Sequence, residues 1–219
     1  MPVRKIKKSY RSLTGIHAAG DGSRGIAFES SLERDFITLF RFDPEVAEIE
    51  EQPVEILYTA PTGRATKYTP DFLVRYASPG RPPGLFEVKY RAELEEKLEE
   101  LRPRFEAAEA YAAERGWAFR VVTEDDLRRG RLKNARFLLP FRRDPIDHGR
   151  SARIVRMLEE RGPMPVARLL EETWPDPDER AFGMRCLWQL LSRHLVTADL
   201  DIELSDGSVI WLPGGEAVR

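Results

Sequence analysis

Apolar positions Leu32, Phe36, Leu39 and Phe40 recur at helical spacing between Phe28 and Phe40, with Ser30 and Ser31 before them as caps. The pattern predicts a short amphipathic helix with Glu33 in its first turn, ended by Asp43-Pro44. Strand-like runs follow at Val46 to Gln52, Val54 to Thr59, Tyr68 to Tyr76 and Leu85 to Tyr90. Turn signals punctuate them at Pro61-Thr62-Gly63, Ser78-Pro79-Gly80 and Pro82-Pro83-Gly84. From Ala92 to Arg115 the period is helical again, with Leu94, Leu98, Leu101, Phe105 and Ala112 on one face and Pro103 expected to kink or split it. Gly116 stops that helix, and Trp117 to Thr123 reads as a buried strand. The closing strand–helix–strand passage is a βαβ crossover, so the economical fold is α/β, a mixed central sheet flanked by helices.

The tail has its own pattern. Ile154, Val155 and Leu158 give one helix, stopped by Gly162-Pro163; Val166, Leu169 and Leu170 give a second. Phe182, Leu187, Leu190 and Leu191 give a third, and Leu200, Ile202 and Leu204 then alternate before Asp206-Gly207 turns the chain into Val209 to Leu212. Three helices followed by a hairpin is the winged-helix order. The chain thus divides into an N-terminal arm at 1–25, an α/β domain at 26–143 and a winged-helix-like domain at 150–219, with Pro140 to Gly149 as linker.

Charge sharpens this division. The arm holds Arg4, Lys5, Lys7, Lys8, Arg11 and Arg24 against Asp21 alone, and residues 128–143 carry Arg128, Arg129, Arg131, Lys133, Arg136, Arg142 and Arg143 with no acid. Residues 145–219 hold nine basic and thirteen acidic side chains, so the net charge of −2 conceals two cationic stretches. Such stretches suit a phosphate-bearing partner, with Lys5, Lys7, Lys8, Arg11, Arg128, Arg129, Arg131 and Lys133 as candidate DNA contacts; a solvated surface is the plainer alternative. One cysteine, Cys186, and the dispersed His17, His148 and His194 give no disulfide and no zinc spacing, which directs attention to carboxylates. With no apolar run long enough for a membrane and no signal core, the expected location is the cytoplasm.

Glu87 and Lys89 stand two apart on a strand, so their side chains share a face, and Asp71 opens the preceding strand, which can bring its carboxylate alongside. Two carboxylates meeting on one face repel each other unless a cation lies between them, and Mg²⁺, which takes carboxylate, water and phosphate oxygens, fits that demand. Taken singly, Asp71 is an ordinary turn residue and Lys89 an ordinary exposed lysine. It is the apolar context, Phe72-Leu73-Val74 and Leu85-Phe86, that gives the charges a task.

Asp71 with Glu87-x-Lys89 resembles the PD-(D/E)xK nuclease core, with Glu33 matching that core's additional acid. More narrowly, Phe28-Glu29-Ser30-Ser31-Leu32-Glu33, Glu51-Gln52-Pro53, Tyr68-Thr69-Pro70-Asp71-Phe72, Glu87-Val88-Lys89, Val122-Thr123-Glu124 and Asn134 are similar to the amino-terminal domain of TnsA, the endonuclease subunit of heteromeric transposases, over roughly residues 9–142. The resemblance implies a restriction-endonuclease-like fold in which Glu33, Asp71 and Glu87 hold Mg²⁺, or Mn²⁺ in its place, with help from the Val88 carbonyl, and Lys89 is the catalytic lysine. Gln52 either positions water or phosphate there or satisfies a strand edge. It also implies cleavage of the non-transferred strand of double-stranded DNA at transposon ends, beside a DDE transposase and an AAA+ ATPase regulator. The acidic tail departs from the family, and its Asp199, Asp201, Glu203 and Asp206 favour protein docking over a DNA-binding wing, although Arg180, Arg185 and Arg193 keep DNA contact open. A restriction- or repair-type nuclease with the same core, or a DNA-binding adaptor that does not cleave, are the competing readings.

Overall fold

The computed structural model describes residues 14–17, 25–60, 62–127 and 129–214. They form two compact units, the first running to Leu127 and the second beginning, among the described residues, at Arg129.

In the first unit β1 (Gly15–His17) pairs antiparallel with β2 (Ile26–Phe28). Residues 14–17 are therefore not part of a free arm: His17 Nε2 lies 3.1 Å from the Thr38 hydroxyl, and three residues are too few to show a period. Next comes α1 (Ser31–Phe42), capped by the Ser30 hydroxyl, which accepts the Glu33 N–H at 3.1 Å, and closed at Asp43. Its buried face centres on Phe36, whose ring stacks on Phe72 with centroids 5.0 Å apart and tilts against Phe86 at 5.2 Å. Truncating Phe36 to Ala would cost about 3–5 kcal/mol on that packing alone.

β3 (Val46–Glu51), β4 (Ile56–Thr59), β5 (Ala65–Tyr68), β6 (Phe72–Tyr76) and β7 (Gly84–Val88) follow. The expected strand from Tyr68 to Tyr76 is in fact two strands. Thr69-Pro70-Asp71 breaks it, leaving β5 in a hairpin with β4, with Ile56 opposite Tyr68, while β6 joins the central sheet. Pro70 has no N–H to give a ladder, which explains the break. The expected long helix also divides, but at Lys97 (φ −114°, ψ 15°), into α2 (Arg91–Glu96) and α3 (Leu98–Ala113); Pro103 lies inside α3. α2 buries nothing and Leu98 is exposed, so the apolar face begins only at Leu101 and continues through Phe105, Ala108 and Ala112.

With β8 (Ala118–Val122) the central sheet has the order β3-β6-β7-β8, with β7 and β8 parallel and the other pairs antiparallel. Its two faces bury different clusters. Phe72, Val74, Phe86 and Val88 pack with Leu32, Phe36 and Ile37 of α1. Leu73 and Leu85 pack with Ala108 and Ala112 of α3 and with Ile56 and Tyr68 of the hairpin. The mixed sheet with helices on both faces is as expected.

The second unit starts with α4 (Arg129–Leu138), which buries Leu132, Asn134, Ala135 and Leu138, and a 3-10 helix at Leu139–Arg143. The division thus falls earlier than the expected 143, because the apolar face of α4 is used within the carboxy-terminal unit. Then come α5 (His148–Arg161), β9 (Met164–Pro165), α6 (Val166–Thr173), α7 (Pro177–Ser192), β10 (Thr197–Ala198) and β11 (Val209–Trp211). The three short strands form a sheet of order β10-β11-β9. Leu200 to Leu204, expected to alternate as a strand, is instead a loop. Asn134 clamps it: the side-chain amide donates to the Leu200 and Ile202 carbonyls at 2.9 and 2.7 Å and its Oδ1 accepts the Leu204 N–H at 3.0 Å.

Candidate active site

Alternation along β7 puts Glu87 and the following Lys89 on the face of Leu85, away from α1. Phe72 lies opposite Phe86, so Asp71, one step back at the start of β6, comes level with Glu87. The Val88 N–H donates to Oδ2 of Asp71 at 2.7 Å and fixes that carboxylate at the strand end. Lys89 continues the ladder through its N–H to the Val122 carbonyl at 3.0 Å, and its Nζ stands 3.1 Å from Oε1 of Glu87. Glu87 is only 2% exposed, an unusual burial for a carboxylate.

The electrostatics follow from this crowding. Burial of the Asp71 carboxyl, then the Glu87 charge, push its pKa well above the ordinary aspartate range; Lys89 and the Val88 N–H pull the other way, and Glu33 adds to the rise. Burial works against the charge on Lys89, but Glu87 and Asp71 outweigh it and hold the ammonium above the ordinary lysine range. Glu33 reaches the same neighbourhood from the first turn of α1. Its Oε2 accepts the Glu29 N–H at 2.8 Å, and burial raises its pKa despite that bond, the Ser30 hydroxyl and the nearby Lys89. Sequence periodicity could not aim Glu33 here; the capped start of α1 does.

Gln52 is buried and holds the left-handed conformation (φ 47°), rare for a residue with a side chain. Its N–H donates to the Asp71 carbonyl at 2.8 Å, while its Oε1 is enclosed without a hydrogen-bond partner among the described residues. Val88 meets the site through its N–H. Tyr68 was not singled out from the sequence for any role: its hydroxyl donates to Oε2 of Glu87 at 2.6 Å. Burial, then the Glu87 charge, push that phenol far up, so it remains a donor. The signal was its place three residues before Asp71, hidden by the apparent continuity of the strand.

Among the described residues no three His, Cys, Asp or Glu side chains converge as a ready-made metal cluster. Lys89 takes Oε1 of Glu87, and the Glu29 N–H takes Oε2 of Glu33. The donor set is nevertheless all oxygen, which matches a hard divalent cation.

The candidate DNA contacts are divided. Lys5, Lys7, Lys8, Arg11 and Arg128 lie outside the described residues. Arg129, Arg131 and Lys133 belong to the second unit, whereas the carboxylates and Lys89 belong to the first. Arg131 faces Asp201 at 3.8 Å and Lys133 faces Glu203 at 2.7 Å. Arg180 donates to the Trp174 and Pro175 carbonyls, Arg185 to Asp144, and Arg193 to the Phe141, Arg142 and Asp144 carbonyls, so all three serve packing within their unit.

Fold and site together give a mixed sheet whose acid-x-lysine strand, Glu87 to Lys89, meets Asp71 from its neighbour. Residues 43–124 match the family described as TnsA-like endonuclease N terminal, and this segment is similar to that family. The matched segment contains Gln52, Asp71, Glu87 and Lys89, whereas Glu33 and the second unit lie outside it. No curated protein matches the chain. No helix among the described residues is long and apolar enough to cross a membrane.

Proposed function

We propose that the protein is a Mg²⁺-dependent endonuclease subunit that cuts the non-transferred strand at transposon ends, within an assembly containing a DDE transposase. The observation that carries this reading is the meeting of Asp71, Glu87 and Lys89 on one face of two paired strands, inside the segment similar to TnsA-like endonucleases. The opposition between the Asp71 and Glu87 charges is the condition a divalent cation relieves. Asp71, Glu87 and Glu33 would hold Mg²⁺, or Mn²⁺ in its place, with the Val88 carbonyl assisting. When bound, the ion supplies a polarised phosphate and a water of lowered pKa.

The chain's own residues supply the rest. Val88 keeps the Asp71 carboxylate in one orientation, so little reorganisation is left for the reaction. Lys89 stays cationic at neutral pH and offers positive charge where the phosphate becomes more negative. Gln52 ties the backbone of Asp71 to the end of β3. The expected products carry a 5′-phosphate and a 3′-hydroxyl. In the second unit, the order after α4 and the 3-10 helix, α5, β9, α6, α7, β10 and β11, reads as a winged-helix-like module. Its acidic loop suits docking to a protein of the assembly, an AAA+ regulator being the partner the family suggests.

The test is nicking of transposon-end DNA by the full chain with its transposase, in Mg²⁺ or Mn²⁺. The expected result is a nick on one strand that disappears in Asp71→Ala and Lys89→Ala. A folded wild-type protein that binds the DNA and the transposase, yet nicks neither strand with either ion, would be an adaptor and the reading would fail.

A further inference from the structure

We infer that Tyr68 is a positioning residue that selects which oxygen of Glu87 faces the reaction, an inference that deepens the nuclease reading and rests on it. The Tyr68 hydroxyl donates to Oε2 of Glu87 at 2.6 Å, and both side chains are buried. Lys89 Nζ stands 3.1 Å from the other oxygen, Oε1. The terminal carboxylate torsion of a glutamate is soft. A hydroxyl anchored on one side removes that freedom and leaves Oε1 as the oxygen presented to Lys89 or to a cation.

The anchor itself is fixed. Tyr68 ends β5, paired to Ile56 across the hairpin, and its ring packs with Ile56, Leu73, Leu85, Ala108 and Ala112. The Arg104 guanidinium lies 6.0 Å from the ring centroid on the α3 side. A phenol suits the role because it holds the carboxylate without bringing a second positive charge to compete with Lys89. Without it, Glu87 can turn both oxygens to the Lys89 ammonium and draw that charge away from substrate.

Tyr68→Phe removes the hydroxyl and keeps the ring. In the full chain with its transposase, the turnover of nicking should fall about 10–100-fold with little change in KM for DNA, the range seen when groups that orient metal ligands are lost. Mn²⁺ binding, followed by paramagnetic resonance without DNA, should weaken over the same range while the thermal melt stays cooperative. Wild-type Mn²⁺ affinity in folded Tyr68→Phe would overturn the inference whatever the nicking rate. Should the wild type bind Mn²⁺ yet nick nothing, the nuclease reading fails and the Mn²⁺ comparison alone decides the role of Tyr68. A third measurement needs no variant of Tyr68: its hydroxyl proton should be a slowly exchanging magnetic-resonance signal in the metal-free protein, lost in Glu87→Ala. A fast-exchanging hydroxyl in the wild type would also overturn the inference.

Discussion

Val88 donates its backbone N–H to Oδ2 of Asp71 at 2.7 Å, so the strand that carries Glu87 also holds the carboxylate that opposes it. The folded protein accepts this arrangement at a cost. Burial of the Asp71 carboxyl and the Glu87 charge raise its pKa well above the ordinary range, so the fold prefers the protonated acid. A raised folded-state pKa contributes stability that is complete below the unfolded value and is lost as pH rises through the folded one. Without divalent ions, the melting temperature of the wild type should therefore fall from acid toward neutral pH more steeply than that of Asp71→Asn. Added Mg²⁺ should raise it at neutral pH in the wild type and have little effect in the variant. Calorimetry across that range decides the matter; identical profiles would remove Asp71 as the source of the penalty.

Lys89 offsets part of that opposition, which predicts a second pH effect. Lys89→Met keeps the stem and removes the charge that lies 3.1 Å from Glu87 and lowers the pKa of Asp71. The loss should be about 1–3 kcal/mol near neutral pH, below the figure for a fully enclosed pair because the Lys89 side chain is 22% exposed. It should shrink at acid pH, where Asp71 is neutral. Nicking should drop about 10²–10³-fold through loss of charge at the phosphate. Urea melts at two pH values and a single-turnover assay would check both; equal loss at both pH values would count against the electrostatic account.

Much of this site was readable from residue order because strand geometry has a period of two. Glu87 and Lys89 had to share a face, and the apolar neighbours of Asp71 placed it on the adjoining strand. Glu33 was readable only through family resemblance, since a helical stripe says which face is buried and not which sheet end the first turn overhangs. Tyr68 carried no legible role, although it stands in the motif before Asp71, because the break at Pro70 sends it into a different sheet from Phe72. Gln52 escaped as a backbone feature, its left-handed φ being one that sequence gives no reason to assign to glutamine. The early boundary after Leu127 had no local mark: Leu132, Ala135 and Leu138 give α4 an apolar face without naming the unit that covers it.

Asn134 illustrates a motif residue whose work is structural. Its side chain makes three hydrogen bonds to the backbone of the Leu200–Leu204 loop, and it is 2% exposed. Asn134→Ala should leave buried backbone groups unpaired and cost about 1–3 kcal/mol. Gly130→Ala should act on the same contact, since an added Cβ would sit 1.9 Å from the Asp201 carbonyl oxygen. Both variants should speed amide exchange at residues 200–204 while leaving the protection of β6 and β7 unchanged. Exchange that rises in the central sheet instead would place the effect elsewhere.

The same loop pairs with part of the cationic stretch, and on the proposed reading that limits what DNA would meet. Arg131 and Lys133 face Asp201 and Glu203 at 3.8 and 2.7 Å, and Lys133 and Glu203 are each more than half exposed. Exposed pairs add little to stability, but they lower the positive potential that phosphates would meet. The double variant Asp201→Asn, Glu203→Gln should leave the melt nearly unchanged and tighten binding to duplex DNA. If both released cations then contact phosphates, the slope of log affinity against log salt should steepen by about 2. Fluorescence anisotropy over a salt series measures that slope directly. A slope equal to that of the wild type would show that this face of α4 does not lie on the DNA, and the protein-docking role of the unit would gain by it.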